Sequence, residues 1–114
     1  MPTSEQGPGA PINRVWLADM VEDSYFPKHL VAKGQGLLAE LAAQVAAQRP
    51  EGKAVYELTH ATTEAFNDLA EEFAESDSEI ETAAREAIAG DIDFILKHFG
   101  YDVDIEEAIA PREW

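Results

Sequence analysis

The chain has no cysteine, and only eight of its 114 residues are lysine or arginine. The first absence excludes disulfides, thiolate metal sites and thiol catalysis, and it fits a cytosolic protein. The second stands against 23 aspartates and glutamates and a net charge of −15. It removes the basic clusters that binding to a nucleic-acid backbone requires, and it disfavours anionic membrane surfaces for the same reason. No apolar run approaches the roughly 20 residues that span a bilayer. Residues 1–12 lack the basic start and apolar core of a signal peptide, so the expected location is the cytoplasm. Nor does any segment show the sustained apolar–polar alternation of a half-buried strand.

What is present is helical periodicity. The first dozen residues hold three prolines and two glycines and are expected to form a flexible tail, with residues 13–114 as one domain. Asn13 is placed to cap a short helix carrying Val15, Trp16, Met20 and Val21. Pro27 suits the first position of a long helix running to about Gln48, with Leu30, Gly34, Leu37, Leu38, Leu41 and Val45 on one stripe. A glycine in mid-stripe costs about 1 kcal/mol against alanine, so a close crossing is expected at Gly34. A second long helix, from about Lys53 to Ala74, presents Val55, Leu58, Thr62, Phe66, Leu69 and Phe73 to the core. Ser78 with Glu81 reads as a capping box opening a third helix, which carries Ile80, Ala84, Ala87, Ile88, Ile95 and Phe99 and stops at Gly100. Asp104 with Glu107 marks a last short helix through Ile105 and Ile109. The sum is an all-α fold: a small helical bundle of three long helices plus one or two short helices.

Two motifs fail on context. Lys33-Gly34-Gln35-Gly36 has the look of a phosphate loop but follows no strand and lies inside a helical pattern. Glu57-x-x-His60 matches half of a di-iron site, yet neither His29 nor His98 has a glutamate three residues before it to supply the second half. Helical phase also turns Glu57, His60 and Glu64 away from the apolar face, toward solvent. No metal or cofactor is expected.

Two features carry the functional question. Residues 54–84 contain no lysine or arginine and nine carboxylates, of which Glu57, Glu64, Asp68, Glu71 and Glu75 make one stripe on the outer face of the second long helix. That stripe is either a solvated face or a docking surface for a basic protein. Asp91 and His98 share the apolar face of the third helix. A carboxylate there must be compensated, because burying a bare charge is costly. Asp91 can be a structural acid hydrogen-bonded by Tyr25, Tyr56 or Arg14. It can be the N-cap after a helix break at Gly90, or a pocket residue with a function. His98, near a helix C-terminus, can be charged and stabilised by the helix dipole.

The segments EDSYFPKHLV (residues 22–31), Leu58-Thr-His-Ala61, Phe66-Asn-Asp68, Ser78-Glu-Ile-Glu81 and Ile105-Glu-Glu-Ala-Ile-Ala, with Arg112-Glu-Trp114, together resemble a family of small acidic bacterial proteins catalogued only as a domain of unknown function. The resemblance implies a complete single domain of bacterial type and supplies no catalytic residues. The leading functional expectation is a non-enzymatic acidic binding protein, monomer or homodimer, with an immunity or antitoxin-like inhibitor of a basic partner as its most concrete form. The alternatives are an enzyme or small-ligand binder using a polar pocket around Asp91 and His98, and an accessory protein without an inhibitor role.

Overall fold

The computed structural model describes residues 12–114. Five α-helices follow one another: α1 (Ala18–Val21), α2 (Lys28–Gln48), α3 (Val55–Glu75), α4 (Thr82–His98) and α5 (Ile105–Ala108), with a 3-10 turn at Gly52–Ala54 leading into α3. Among the described residues there is no strand, so the all-α bundle of three long and two short helices stands. None of these helices is long and apolar enough to cross a membrane. The expected tail falls on residues 1–11, outside the described residues, except at its last position: Ile12 is half-buried and packs against the core.

α2 and α3 form an antiparallel hairpin that carries most of the core. Leu30, Val31, Gly34, Leu38, Leu41 and Val45 are buried along α2, while Leu37 is only half-buried at the edge of the stripe. α3 buries Val55, Thr59, Thr62, Thr63, Phe66, Leu69 and Phe73. Two of these threonines satisfy their hydroxyls on their own helix: Thr63 Oγ1 donates to the Thr59 carbonyl at 2.8 Å, and Thr59 Oγ1 to the Tyr56 carbonyl at 3.2 Å. The crossing expected at Gly34 is present. A Cβ there would lie 2.8 Å from Leu17 Cδ1 and 3.2 Å from Phe66 Cε1, so only glycine lets the segment before α1 and the middle of α3 converge on α2.

The helix ends account for where the sequence reading and the structure part. α3 closes in a Schellman motif, with Asp77 left-handed at φ 60°, Ser78 N–H on the Phe73 carbonyl at 2.9 Å and Asp77 N–H on the Ala74 carbonyl at 3.1 Å. Ser78 is thereby committed to ending α3 and is buried there, so the capping box with Glu81 does not form and α4 begins later, at Thr82. Ile80 consequently lies in the connection rather than on α4. α4 runs unbroken through Gly90, which rules out the helix break and the N-cap role for Asp91. It ends as expected at Gly100, left-handed at φ 86°, with Tyr101 N–H on the Leu96 carbonyl at 2.8 Å. The first helix is shorter than its pattern: Asn13 caps nothing, Val15 is 61% exposed, and α1 starts only after Leu17.

The last segment is held to one side of α3 by a row of side chains that bond its backbone. The Tyr56 hydroxyl accepts from Asp104 N–H at 3.2 Å, and a His60 ring nitrogen bonds the Glu107 carbonyl at 2.7 Å. Asn67 donates to the Pro111 carbonyl at 3.1 Å and accepts from Glu113 N–H at 2.7 Å. His60 is therefore half-buried under this strap, not turned to solvent as its helical phase alone implied. Asp104 caps α5 as expected, accepting from Glu106 N–H at 2.9 Å.

Phe66 is fully buried and meets Trp114 edge-on at 6.3 Å, so Phe66→Ala is expected to cost about 3–5 kcal/mol in denaturant unfolding. A loss below about 1 kcal/mol would show that the face is wrongly assigned. Two glycine substitutions should differ in sign. Gly34→Ala overpacks a closed crossing and should destabilise, since overpacking costs about 1–3 kcal/mol. Gly90→Ala meets nothing within 4 Å and should stabilise by about 0.5–1 kcal/mol. Thermal melts of the pair, compared with the parent protein, check both signs.

Candidate functional site

Asp91 is the buried acid around which the N-terminal segment is organised. Its side chain leaves α4 into the core with 4% of the residue exposed. Oδ1 accepts from Arg14 Nη2 at 2.7 Å and Nε at 3.0 Å, and Oδ2 accepts from Leu17 N–H at 2.7 Å. Of the partners considered from sequence, Arg14 is the one used. Its guanidinium also lies over the Phe94 ring, 4.2 Å from the centroid, while Trp16 meets the same ring edge-on at 6.4 Å.

The bond to Leu17 explains a strained residue. Leu17 is left-handed, with φ 54°, a conformation that costs a leucine roughly 1–2 kcal/mol. The carboxylate receives the amide that this turn directs inward, and the leucine side chain fills the notch at Gly34. Gln35 adds a bond from Nε2 to the Trp16 carbonyl at 2.8 Å. Sequence reasoning missed the left-handed turn and the Gln35 bond. Nothing in the residue types signals either, since leucine is among the residues least suited to that backbone.

An open cleft of about 330 Å³ lies between the N-terminal segment and α4, with Arg14, Asp19, Glu86, Gly90 and Asp91 in its wall. His98 is not part of it. That histidine is half-buried, stacked on Phe94 at 5.8 Å and set edge-on to Phe99 at 5.0 Å. Arg14, the partner of Asp91, and His98 thus lie on the same aromatic ring, but Asp91 and His98 do not share a pocket. With both carboxylate oxygens engaged by donors, Asp91 has the environment of a positioning group rather than of a proton acceptor facing a substrate.

All five carboxylates of the predicted stripe, Glu57, Glu64, Asp68, Glu71 and Glu75, are exposed along α3. They span about 27 Å of helix at 1.5 Å per residue. The ion pairs among the described residues join Arg14 to Asp91, Lys33 to Glu72, Lys97 to Asp93 and Arg112 to Glu106, and none of them includes a stripe residue. Asp68 also borders a shallow hollow of about 270 Å³ between α2 and α3, whose wall includes Gly36. Gly36 and Gly90 are helical glycines with nothing within 4 Å of an added Cβ, and each opens onto a hollow. Among the described residues no three histidine or carboxylate groups are grouped to hold a metal ion.

Residues 12–114 match a family described as a family of unknown function, DUF5713. No curated protein and no solved structure matches the chain.

Removing the Asp91 carboxylate orphans the Leu17 amide and leaves Arg14 without its partner. Arg14's side chain is 38% exposed and can rehydrate, so Asp91→Ala should cost about 2–3 kcal/mol, short of the loss for a fully buried pair. Asp91→Asn should be milder yet still destabilising. Its amide has one acceptor oxygen for two tasks, and its NH₂ must face either the guanidinium or the Leu17 amide. Denaturant unfolding of both variants checks this order, and a neutral Asp91→Ala would remove the structural role.

Proposed function

We propose that this chain, which belongs to the DUF5713 family of unknown function, is a non-enzymatic binding protein that uses the acidic face of α3 to engage a basic protein partner. The observation that carries the reading is the stripe itself. Five exposed carboxylates lie along one face with no cation drawn over them from the described residues. Like charges at i and i+4 cost a helix a few tenths of a kcal/mol per pair, and a partner with clustered lysine or arginine would relieve that cost. An immunity or antitoxin-like inhibitor acting in the cytoplasm is the most concrete form of this function. The enzyme reading has weaker support, because the oxygens of Asp91 are occupied and His98 stands outside the cleft.

Complementary charge steers encounter and fixes register. Association with the natural partner should therefore slow as salt rises past physiological strength, where the screening length falls below about 8 Å. Replacing Glu64, Asp68 and Glu71 together by lysine should weaken capture of that partner from native cells. The fold should stay intact, since such exposed positions shift stability by about 0.5 kcal/mol or less each. Equal recovery of every partner by the parent and the reversed protein would sink the docking function.

A further inference from the structure

We infer that residues 102–114 are a latch that opens from α3 while the rest of the fold stays closed, and that screening of charge across the seam tightens it. The pivot lies just past Tyr101. The N–H of that residue is held by the Leu96 carbonyl at the end of α4, at 2.8 Å, and its hydroxyl donates to the Pro50 carbonyl. Beyond it the strap returns to the core at Ala108 and Ile109, which are buried, and at Trp114, which meets Phe66 edge-on. These apolar contacts, with the backbone bonds to Tyr56, His60 and Asn67, hold it closed.

Two observations oppose closure. The first is charge. Residues 102–114 contain five carboxylates and one arginine, and Arg112 is paired within the strap itself, to Glu106 at 3.7 Å. Among the described residues no ion pair joins the strap to α3. Three of the four bonded points on the strap fall on acidic residues, at the backbone of Asp104, Glu107 and Glu113. The α3 side chains that hold them stand among the exposed acids of the stripe. Glu57 follows Tyr56, Glu57 and Glu64 lie at i−3 and i+4 from His60, and Glu64 and Glu71 at i−3 and i+4 from Asn67. Closing the strap therefore brings like charges together. The second observation is Trp114, whose Nε1 is buried with no hydrogen-bond partner. Water supplies that bond when the strap is open.

The N-terminal segment is the counterpart with the sign reversed. Leu17 N–H also rests on a side chain of another helix, but there Asp91 is joined by Arg14, an opposite charge. Screening favours the strap and does not favour the Leu17 contact. The latch does not depend on the proposed docking function, and its test uses no partner. Amide hydrogen exchange of the parent protein gives protection factors for Asp104 and Glu113 N–H, with Leu17 and Phe66 N–H as references. Both strap amides should be at least about tenfold less protected than Phe66, which places their opening below global unfolding. Raising sodium chloride from about 0.01 M to about 1 M shortens the screening length from about 30 Å to about 3 Å. Protection of the strap amides should then rise several-fold more than that of Leu17. Glu107→Gln combined with Glu113→Gln leaves the backbone bonds in place at two exposed positions. That variant should raise strap protection at low salt and remove most of the excess salt response. Strap amides as protected as Phe66 would overturn the latch. An equal salt response at the strap and at Leu17 would trace the effect to the net charge of the whole chain and overturn it as well.

Discussion

The Asp91 carboxylate is the interaction on which the rest of the arrangement depends. By holding Arg14 and the Leu17 amide it fixes a segment that has almost no regular structure of its own, since α1 is four residues long. Isolated helices of that length are unstable in water, so the segment keeps its place through tertiary bonds. Once Leu17 is turned left-handed, its side chain enters the space left by Gly34, where Phe66 and Leu69 also arrive. A single buried acid on α4 thus sets how closely α2, α3 and the N-terminal segment meet. The half-exposure of Arg14 eases the arrangement: the acid gains a charged partner whose other donors stay hydrated, which lowers the desolvation penalty of a fully buried pair.

The sequence was most legible where one physical rule acted alone. Apolar period gave the extents of α2 and α3 and the face of Phe66, because burial of a stripe dominates long helices. Gly100 and Asp104 worked as expected because each cap is decided within a few residues. Legibility failed where two local motifs competed for the same residues. Ser78 has the side chain to open α4, but its backbone N–H is used to close α3, and the closing motif prevailed because Asp77 accepts the left-handed turn. It failed again for His60, whose helical phase was read correctly as off the main core. A strap from the far end of the chain covers that flank, and no local pattern announces a contact 47 residues away.

The candidate site divides in the same manner. The stripe of five exposed acids was visible as spacing, since exposure of charged residues on an outer face follows directly from helix geometry. The hollow beside it was not, because it arises from the relation between Gly36 and Ala65, which sit on different helices. Asp91 was recognisable as an anomaly, and Arg14 stood among its three considered partners. The role of the pair in fixing a strained leucine required the backbone angles.

α3 shows why its charge and its stability are separate questions. One side buries seven residues against the core, a second holds the C-terminal strap through Tyr56, His60 and Asn67, and a third carries the acids. Burial of a single large apolar side chain is worth about 1.5–3 kcal/mol. Each like-charge pair along the stripe costs a few tenths of a kcal/mol. The core side therefore outweighs the repulsion several-fold, and nothing in the packing of α3 demands either acids or bases on its outer face. A face left unconstrained by folding is free to be shaped by what meets it. On α3 that face carries five exposed carboxylates, none of them in an ion pair among the described residues.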